Sequence, residues 1–156
     1  ARVAGGCRGA GLAPGVHEGD AAGAHGGWTR RIGSFDKAVA RDRMTEAERD
    51  AALGLLTFTT DLADMADRRM VIEAVIEDEA LKTSVFRTLD RVVEADDAIL
   101  ASNTSSIPIM KLGMATQRPE SVIGSHFFNP VPVPKLGELV MSLMNDTATG
   151  AGAKHL

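Results

Sequence analysis

The feature that most constrains the fold is an apolar strand, an amphipathic helix and a second apolar strand in direct succession. The run "RMVIEAV", residues 69–75, has the length and near-continuous apolar character of a strand covered on both faces. In residues 78–94, apolar side chains recur at helical spacing and predict an amphipathic helix. These side chains are Leu81, Val85, Leu89 and Val92. The run "AILASN", residues 98–103, predicts the second strand. This order and spacing predict a βαβ unit, and therefore a parallel sheet in an α/β fold.

Three further strands and one helix are predicted on either side of this unit. The runs "SVIGSHFF", residues 121–128, and "KLGELVM", residues 135–141, have the length and apolar content of strands. Upstream, Thr45 is followed three residues later by Glu48, which is the pattern of a capping box and predicts a helix to about Leu55. The run "LTFTT" alternates like a short strand directly after that helix.

The beginning of the chain is rich in glycine. The first 35 residues contain ten of the sixteen glycines. Because glycine weakens helices and strands by roughly 0.5–1 kcal/mol per site relative to alanine, regular structure is disfavoured there. We therefore expect only a weak strand over residues 13–17, and a helix within residues 21–41 that forms in its second half.

The composition is that of an ordinary globular protein and excludes several classes of function. Of the 156 residues, 44% are hydrophobic and 24% are charged, which is enough for one domain with a core. The net charge of −4, without any basic run, argues against nucleic acid and anionic membranes as partners. No apolar run approaches the roughly 20 residues of a membrane span. The one cysteine, Cys7, fits a reducing compartment, so we expect a cytoplasmic protein.

Polar residues follow three of the predicted strands at the point where each strand ends. The segments are "EAVIED" with Glu73 and Glu77, "SNTSS" at residues 102–106, and "HFFNP" with His126. In doubly wound α/β sheets, ligands bind at the carboxyl ends of the strands, so this edge is the expected site. The "SNTSS" segment has two interpretations: it could form a hydrogen-bonding floor under a ligand hydroxyl, or it could only cap a turn.

His126 and Glu138 are the candidates for acid–base chemistry. The proline-rich segment from Asn129 to Pro134 should fold back and bring the carboxylate of Glu138 within reach of the imidazole. A histidine paired with a carboxylate suits a general base, because the carboxylate fixes the tautomer and stabilises the charged ring. The same pair would serve equally well as a structural salt bridge.

Glu18 is a candidate for binding a nucleotide ribose, since it follows the weak strand at residues 13–17. An acidic residue after the second strand of a Rossmann unit binds the ribose hydroxyls. Its usual companion, G-x-G-x-x-G after a first strand, is absent. The four histidines and the one cysteine form no spaced set of ligands, so no metal is expected.

Two long segments resemble one protein family. "ILASNTSSIPI" and "RPESVIGSHFFNPVPVPKLGELV" are similar to the NAD-binding domain of the 3-hydroxyacyl-CoA dehydrogenases, and the bacterial 3-hydroxybutyryl-CoA enzymes are the most similar. The likeness extends over about residues 35–140. It implies a doubly wound, Rossmann-type α/β domain with a mostly parallel sheet, which here is incomplete because the first strand and the glycine-rich loop are missing.

The resemblance implies four catalytic residues. His126 would be the general base that removes the proton of the substrate 3-hydroxyl, and Glu138 would orient His126 and stabilise its charged form. Ser105 would hydrogen-bond the substrate oxygen and border the nicotinamide. Asn129 would help to position the same groups.

The resemblance also implies the residues that bind the cofactor, NAD. Ala74, Glu77 and Lys82 match positions that line the NAD site, as does Ser105. Glu18 falls where the family carries its ribose-binding acidic residue.

The chain departs from the family at both ends and in the proline-rich loop. We expect residues 1–34 to be a degraded start of the NAD-binding domain, residues 35–145 its remainder, and residues 146–156 the start of a linker. A helical C-terminal domain, through which the family dimerises, would then be missing. Pro134 stands where the family usually has methionine, and Gly137 where it usually has valine.

The implied activity is NAD-dependent oxidation of (3S)-3-hydroxyacyl-CoA, of the 3-hydroxybutyryl-CoA type, to 3-oxoacyl-CoA in fatty-acid or butanoate metabolism. The implied partner is the acyl-CoA substrate, and the parent enzyme would be a homodimer. Neither nucleic acid nor a membrane is an expected partner. The alternative is a non-catalytic fragment or remnant that retains part of the dinucleotide-binding fold.

Overall fold

The chain divides into two units, Ala1–Asp64 and Met65–Leu156. The structure, a computed structural model, describes residues 15–127 and 137–154. In the described part of the first unit, the elements follow in the order strand, helix, helix, strand. These are β1 (Gly15–His17), α1 (Ala21–Val39), α2 (Glu46–Gly54) and β2 (Thr57–Thr59). β1 and β2 pair in parallel, with Val16 opposite Phe58.

A helix cap and a hydrophobic cluster stabilise the first unit. The predicted capping box is confirmed: the Thr45 hydroxyl accepts from the Glu48 N–H at 3.2 Å, and the Glu48 carboxylate accepts from the Thr45 N–H at 2.8 Å. Phe35, Ala52 and Leu56 form the buried cluster of α1 and α2. Trp28 and Phe58 pack against this cluster. Their two rings meet edge to face, with centroids 5.3 Å apart.

Helix α1 differs from the sequence-based expectation, because it is helical from its first residue despite its glycines. Asp20 caps it, and the Asp20 carboxylate accepts from the Gly23 N–H at 2.6 Å. An aspartate at this position satisfies one of the four N–H groups that a helix start leaves unpaired. The weak strand is present but short, since only Gly15–His17 of it is a strand among the described residues.

The second unit contains the predicted βαβ unit and its continuation. Its strands and helices are β3 (Met70–Glu73), α3 (Glu79–Val92), β4 (Ile99–Ser102), α4 (Ile109–Gly113), β5 (Val122–Phe127), β6 (Gly137–Val140) and α5 (Thr147–Lys154). The strands form a four-stranded sheet in the order β3-β4-β5-β6. The first three strands are parallel and β6 is antiparallel to β5, so the sheet is mostly parallel.

The two faces of this sheet have different characters. One face carries an apolar cluster of Ile99, Ala101 and Ile123, against which Met70, Ile72 and Leu139 pack. Because side chains alternate along a strand, the intervening residues lie on the opposite face. At the carboxyl ends of the strands, that second face carries polar residues.

Helix α3 buries a different stripe from the one its apolar pattern predicts. Its buried residues are Lys82, Phe86 and Leu89, followed by Val93 just after the helix. Leu81, which the pattern places in the core, is 41% exposed. The core position predicted at the start of the helix was therefore wrong by one residue, because Lys82 and not Leu81 is buried.

Candidate functional site

The carboxyl ends of β3, β4 and β5 place polar side chains side by side on one face of the sheet. Glu73 lies opposite Ser102, and Ser102 lies opposite Gly124. His126 follows two residues later on β5 and therefore shares this face. The edge that the sequence indicates as a ligand site thus has its polar residues in one row.

His126 and Glu138 are direct partners in the antiparallel pair of β5 and β6. Directly opposite residues in such a pair have Cβ atoms about 4.5–5.5 Å apart on the same face. The imidazole is half-buried, and the carboxylate is exposed. This register brings together two residues that are twelve positions apart in the sequence, while their catalytic roles stay a prediction.

Gly124 allows the close packing of β5 next to this pair. A Cβ at this position would lie 2.9 Å from Cβ of Val140 on β6, and 3.0 Å from Cδ1 of Ile109 on α4. A Cβ contact under 3.0 Å essentially never occurs in proteins, so a side chain here would displace β6. The close approach of β5 to β6 beside His126 and Glu138 therefore requires a glycine at position 124.

Glu77 joins the loop after β3 to the turn after β4. Its Oε1 accepts from the Thr104 hydroxyl, from the Ser105 N–H at 3.1 Å and from the Ser106 N–H at 3.2 Å. The Ser106 hydroxyl adds a further hydrogen bond at 3.0 Å. The bond from Thr104, followed by those from Ser106 and Ser105, lowers the pKa of Glu77 from 4.5 to about 2. The "SNTSS" segment thus uses its donors to hold a carboxylate of the protein itself.

A buried network lies behind Glu77. Nζ of Lys82 lies 2.8 Å from Oε1 and 3.0 Å from Oε2 of Glu73, and the Ser102 hydroxyl donates to Oε2 of Glu73 at 2.6 Å. Lys82 and Ser102 are both 0% exposed, and Glu73 is 4% exposed. Nζ of Lys82 also lies 3.5 Å from Oε2 of Glu77. Of the predicted cofactor residues, Lys82 is therefore the one that the protein itself encloses.

Ser105 and Ala74 are exposed at the same edge of the sheet. Ser105 lies in the turn held by Glu77, and Ala74 lies in the loop directly after β3. Beside Ala74, the apolar side chains of Val75 and Ile76 are also exposed, Ile76 by 75%. Exposed apolar groups next to a few convergent polar groups are typical of a binding site for a small molecule.

Glu18 directly follows β1 in the first unit. Its N–H donates to the Thr59 carbonyl at 3.0 Å and so continues the pairing of β1 with β2. Its carboxylate lies along α1 where the helix has glycines: a Cβ on Gly27 would be 3.0 Å from Oε1 of Glu18, and one on Gly23 would be 3.7 Å from Oε2. The glycines of α1 thus leave room for the carboxylate. Asn129, the remaining predicted catalytic residue, lies outside the described residues.

Sequence reasoning missed the role of Glu73 and Ser102, and the burial of Lys82. The signal was present. Glu73 is a charged residue inside an apolar strand, and Lys82 precedes Phe86 and Leu89 at the spacing of one helix face. Two opposite charges in two apolar patterns, nine residues apart, indicate a buried ion pair.

Among the described residues there is neither a candidate metal site nor a helix able to span a membrane. No group of three or more histidine, cysteine, aspartate or glutamate side chains there could hold a metal ion. None of the helices described combines the length with the apolar character that crossing a bilayer requires.

Comparison with known proteins gives consistent relatives. The chain is 60% identical over 125 residues to a protein named 3-hydroxybutyryl-CoA dehydrogenase from Mycobacterium tuberculosis, a match that covers 80% of this chain and 44% of the relative. The chain thus spans less than half the length of this curated relative.

Solved structures give the same result. The crystal structure of M. tuberculosis FadB2 matches with a TM-score of 0.96 at 52% identity, over 99% of this chain and 54% of that one. The (S)-3-hydroxybutyryl-CoA dehydrogenase PaaH1 from Ralstonia eutropha matches with a TM-score of 0.94 at 34% identity, over 99% and 54%. This likeness confirms the expected Rossmann-type α/β fold.

The family whose description is "3-hydroxyacyl-CoA dehydrogenase, NAD binding domain" matches residues 4–156. This match includes the glycine-rich beginning of the chain as well as the part with clear sequence likeness. The chain therefore belongs to the 3-hydroxyacyl-CoA dehydrogenase family, in which it corresponds to the NAD-binding domain.

Proposed function

We propose that the chain is part of an NAD-dependent dehydrogenase that oxidises (3S)-3-hydroxyacyl-CoA, of the 3-hydroxybutyryl-CoA type, to 3-oxoacyl-CoA. The observation that carries the proposal is the direct pairing of His126 with Glu138 at the ligand-binding edge of a mostly parallel sheet. The names of the relatives support the substrate class. One further relative, a fatty acid oxidation complex subunit alpha from Shewanella amazonensis, is 45% identical over 106 residues and supports a place in fatty-acid metabolism.

His126 is the general base of the proposed reaction. An imidazole nitrogen of His126 takes the proton of the 3-hydroxyl while C3, the carbon that carries this hydroxyl, is oxidised to a carbonyl. Histidine suits this step because its ordinary titration lies near neutral pH. His126 is half-buried, so it is partly accessible to substrate.

Glu138 stabilises the protonated ring. Its carboxylate shares the face of His126 and places a negative charge beside the imidazole as the imidazole becomes positive. The carboxylate also holds the ring in one orientation, as the aspartate does in a serine-protease triad. Ser105 contributes a hydroxyl at the same edge of the sheet for the substrate oxygen, and its backbone is held by Glu77.

The described residues fit NAD in each unit taken by itself. In the first unit, the Glu18 carboxylate follows β1 and would bind ribose hydroxyls. In the second unit, Ala74 and its exposed apolar neighbours after β3 offer a surface for the dinucleotide, bordered by Glu77 and Ser105. Bound NAD would supply the acceptor for the hydride from C3 of the substrate.

The experiment that tests the proposal is NADH oxidation with acetoacetyl-CoA by the chain and by its His126→Gln variant. General bases contribute about 10²–10⁴-fold to rate, so the variant should lose at least about 100-fold in kcat. The matched control is His25→Gln, which removes an exposed histidine of α1 and should leave kcat unchanged. Equal rates for the chain and His126→Gln, with both proteins measurably active, would refute the assignment of the base.

A non-catalytic remnant of the dinucleotide-binding fold is the alternative function. A chain that folds but neither turns over acetoacetyl-CoA nor binds NAD in calorimetry would favour this alternative. Formation of a homodimer and a cytoplasmic location remain predictions.

A further inference from the structure

A buried ion pair lies beneath the loop that joins β3 to α3, and the proposed reaction does not use it. Lys82 and Glu73 are both withdrawn from water, with side-chain exposures of 0% and 1%. Removing two charges from water is costly, and a well-packed apolar pair of similar size is often as stable. Stability alone therefore gives little reason for a lysine at this place in the helix.

The pair holds the backbone of the loop at Val75. Oε1 of Glu73 accepts from the Val75 N–H at 2.5 Å, and Nζ of Lys82 donates to the Val75 carbonyl at 3.3 Å. Both backbone polar groups of Val75 are thus bound by buried, charged partners. Hydrogen bonds to charged groups are stronger than neutral ones, so the loop is fixed where it leaves the sheet.

The pair reaches the second loop through Glu77. Oε2 of Glu77 lies 3.5 Å from Nζ of Lys82, while Oε1 of Glu77 accepts from the turn that carries Ser105. The Ser102 hydroxyl, at the end of β4, donates to Glu73 and so connects β4 to the ion pair. Two sets of contacts therefore link the end of β3 and its loop to the end of β4 and its turn. One is the buried hydrogen bond from Ser102 to Glu73, and the other is the exposed set from residues 104–106 to Glu77.

We propose that Glu73, Lys82 and Ser102 are positioning residues of the cofactor site. Through Glu77, they set the place of the turn at residues 104–106 relative to the loop at residues 74–78. In this arrangement, Lys82 reaches the turn through Glu77. The inference rests on the proposed function, since only that function makes Ala74 and Ser105 site residues.

The test uses the double variant Glu73→Gln/Lys82→Met in the full chain. Glu73→Gln alone would leave a buried ammonium without its counter-charge and is expected to unfold the protein. The double variant removes both charges at similar volume and should fold. Its amide hydrogen exchange, measured by NMR without NAD, should be at least about tenfold faster at Ser105 and Ser106.

The Ile123 amide, in the buried middle of the sheet, should keep its exchange rate in the double variant. A role confined to core packing would change Ile123 and leave the two serines alone. Unchanged exchange at Ser105 and Ser106 in a folded double variant would overturn the inference. The matched control is Glu79→Gln, which removes an exposed partner of Lys111 from the same helix and should change neither site.

The Kd of NAD, measured by calorimetry, is the second readout. It should rise about tenfold in the double variant and stay unchanged in Glu79→Gln. Faster exchange at the serines with an unchanged Kd would overturn the link between the network and the cofactor. If the wild-type chain binds no NAD, the proposed function fails, and the exchange rates alone decide whether the ion pair positions the turn.

Discussion

Glu77 shows how a single exposed carboxylate can organise a loop. Its side chain is 40% exposed, yet one of its oxygens accepts from two hydroxyls and two backbone N–H groups. Backbone N–H groups in a turn otherwise face water, so their capture by a charge fixes the turn. The same bonds favour the ionised carboxylate and account for its pKa of about 2.

This pKa predicts an acid-dependent loss of stability at one residue. Because the folded pKa is below the ordinary value of 4.5, the contribution of Glu77 is present above that value and is lost as pH falls towards about 2. The stability advantage of the wild type over Glu77→Gln should therefore be complete near neutral pH and shrink between those two values. Urea unfolding of both proteins across this pH range measures it.

A second variant assigns the cause of this effect. Thr104→Val removes the largest contribution to the lowered pKa of Glu77, so this pKa should rise. The stability contributed by Glu77 should then be lost at a higher pH than in the wild type. A difference between wild type and Glu77→Gln that stays constant across the range would contradict the prediction.

At the scale of elements, Arg118 closes the carboxyl end of α3 from outside the helix. Its guanidinium donates to the carbonyls of Asp90, Val93 and Ala95 at 2.8–3.1 Å. It also forms an ion pair with the Asp90 carboxylate at 3.0 Å. The last carbonyls of a helix have no partners within it, and a planar, multidentate cation satisfies several at once.

Arg118→Lys should therefore destabilise the fold although it keeps the charge. An ammonium cannot span three carbonyls and a carboxylate, so we expect a loss of about 1–3 kcal/mol in the free energy of unfolding. Arg87→Lys, at an exposed position of the same helix, should stay within about 0.5 kcal/mol of the wild type. Urea denaturation measures both, and equal values for the two variants would show that the cap contributes nothing.

Helix α3 also shows which part of an element its sequence could predict. Its existence and its start after Asp78 follow from apolar spacing and from an aspartate cap, which accepts from the Leu81 N–H at 2.8 Å. Its buried face could not be found from apolar residues alone. A pattern method places lysine on the outside, whereas here Glu73 on a strand offers it a partner inside. The partner is a tertiary contact, which local spacing does not encode.

At the scale of the whole molecule, the order of the elements was predictable and their pairing only in part. Apolar runs, helical spacing and a capping box predicted α2, β2, β3, α3, β4 and β5, whereas the short helix α4 was not predicted. The βαβ rule predicted the parallel pairing of β3 with β4. The close approach of β5 to β6 requires Gly124, because a Cβ there would meet Val140 and Ile109, which are distant in sequence. The glycine-rich α1 was underestimated for a similar reason, because its cap and its packing outweigh its low propensity.

For the molecule as a whole, the proposed function predicts that NAD stabilises the folded state. A ligand that binds only the folded state, at one hundred times its Kd, adds about 2.7 kcal/mol to the free energy of unfolding. For a chain of this size, NAD should then raise the Tm by roughly 5–10 °C. NADP should raise it less, because the carboxylate of Glu18 repels the 2′-phosphate.

Differential scanning calorimetry with each dinucleotide measures these shifts, and Glu18→Gln identifies their origin. Removing the charge should narrow the difference between NAD and NADP, since the repulsion disappears while the shape of the side chain is kept. A difference that Glu18→Gln leaves unchanged would remove Glu18 from the ribose site and place the discrimination elsewhere. No shift with either dinucleotide would favour the non-catalytic alternative, because binding must stabilise the folded state whenever it occurs.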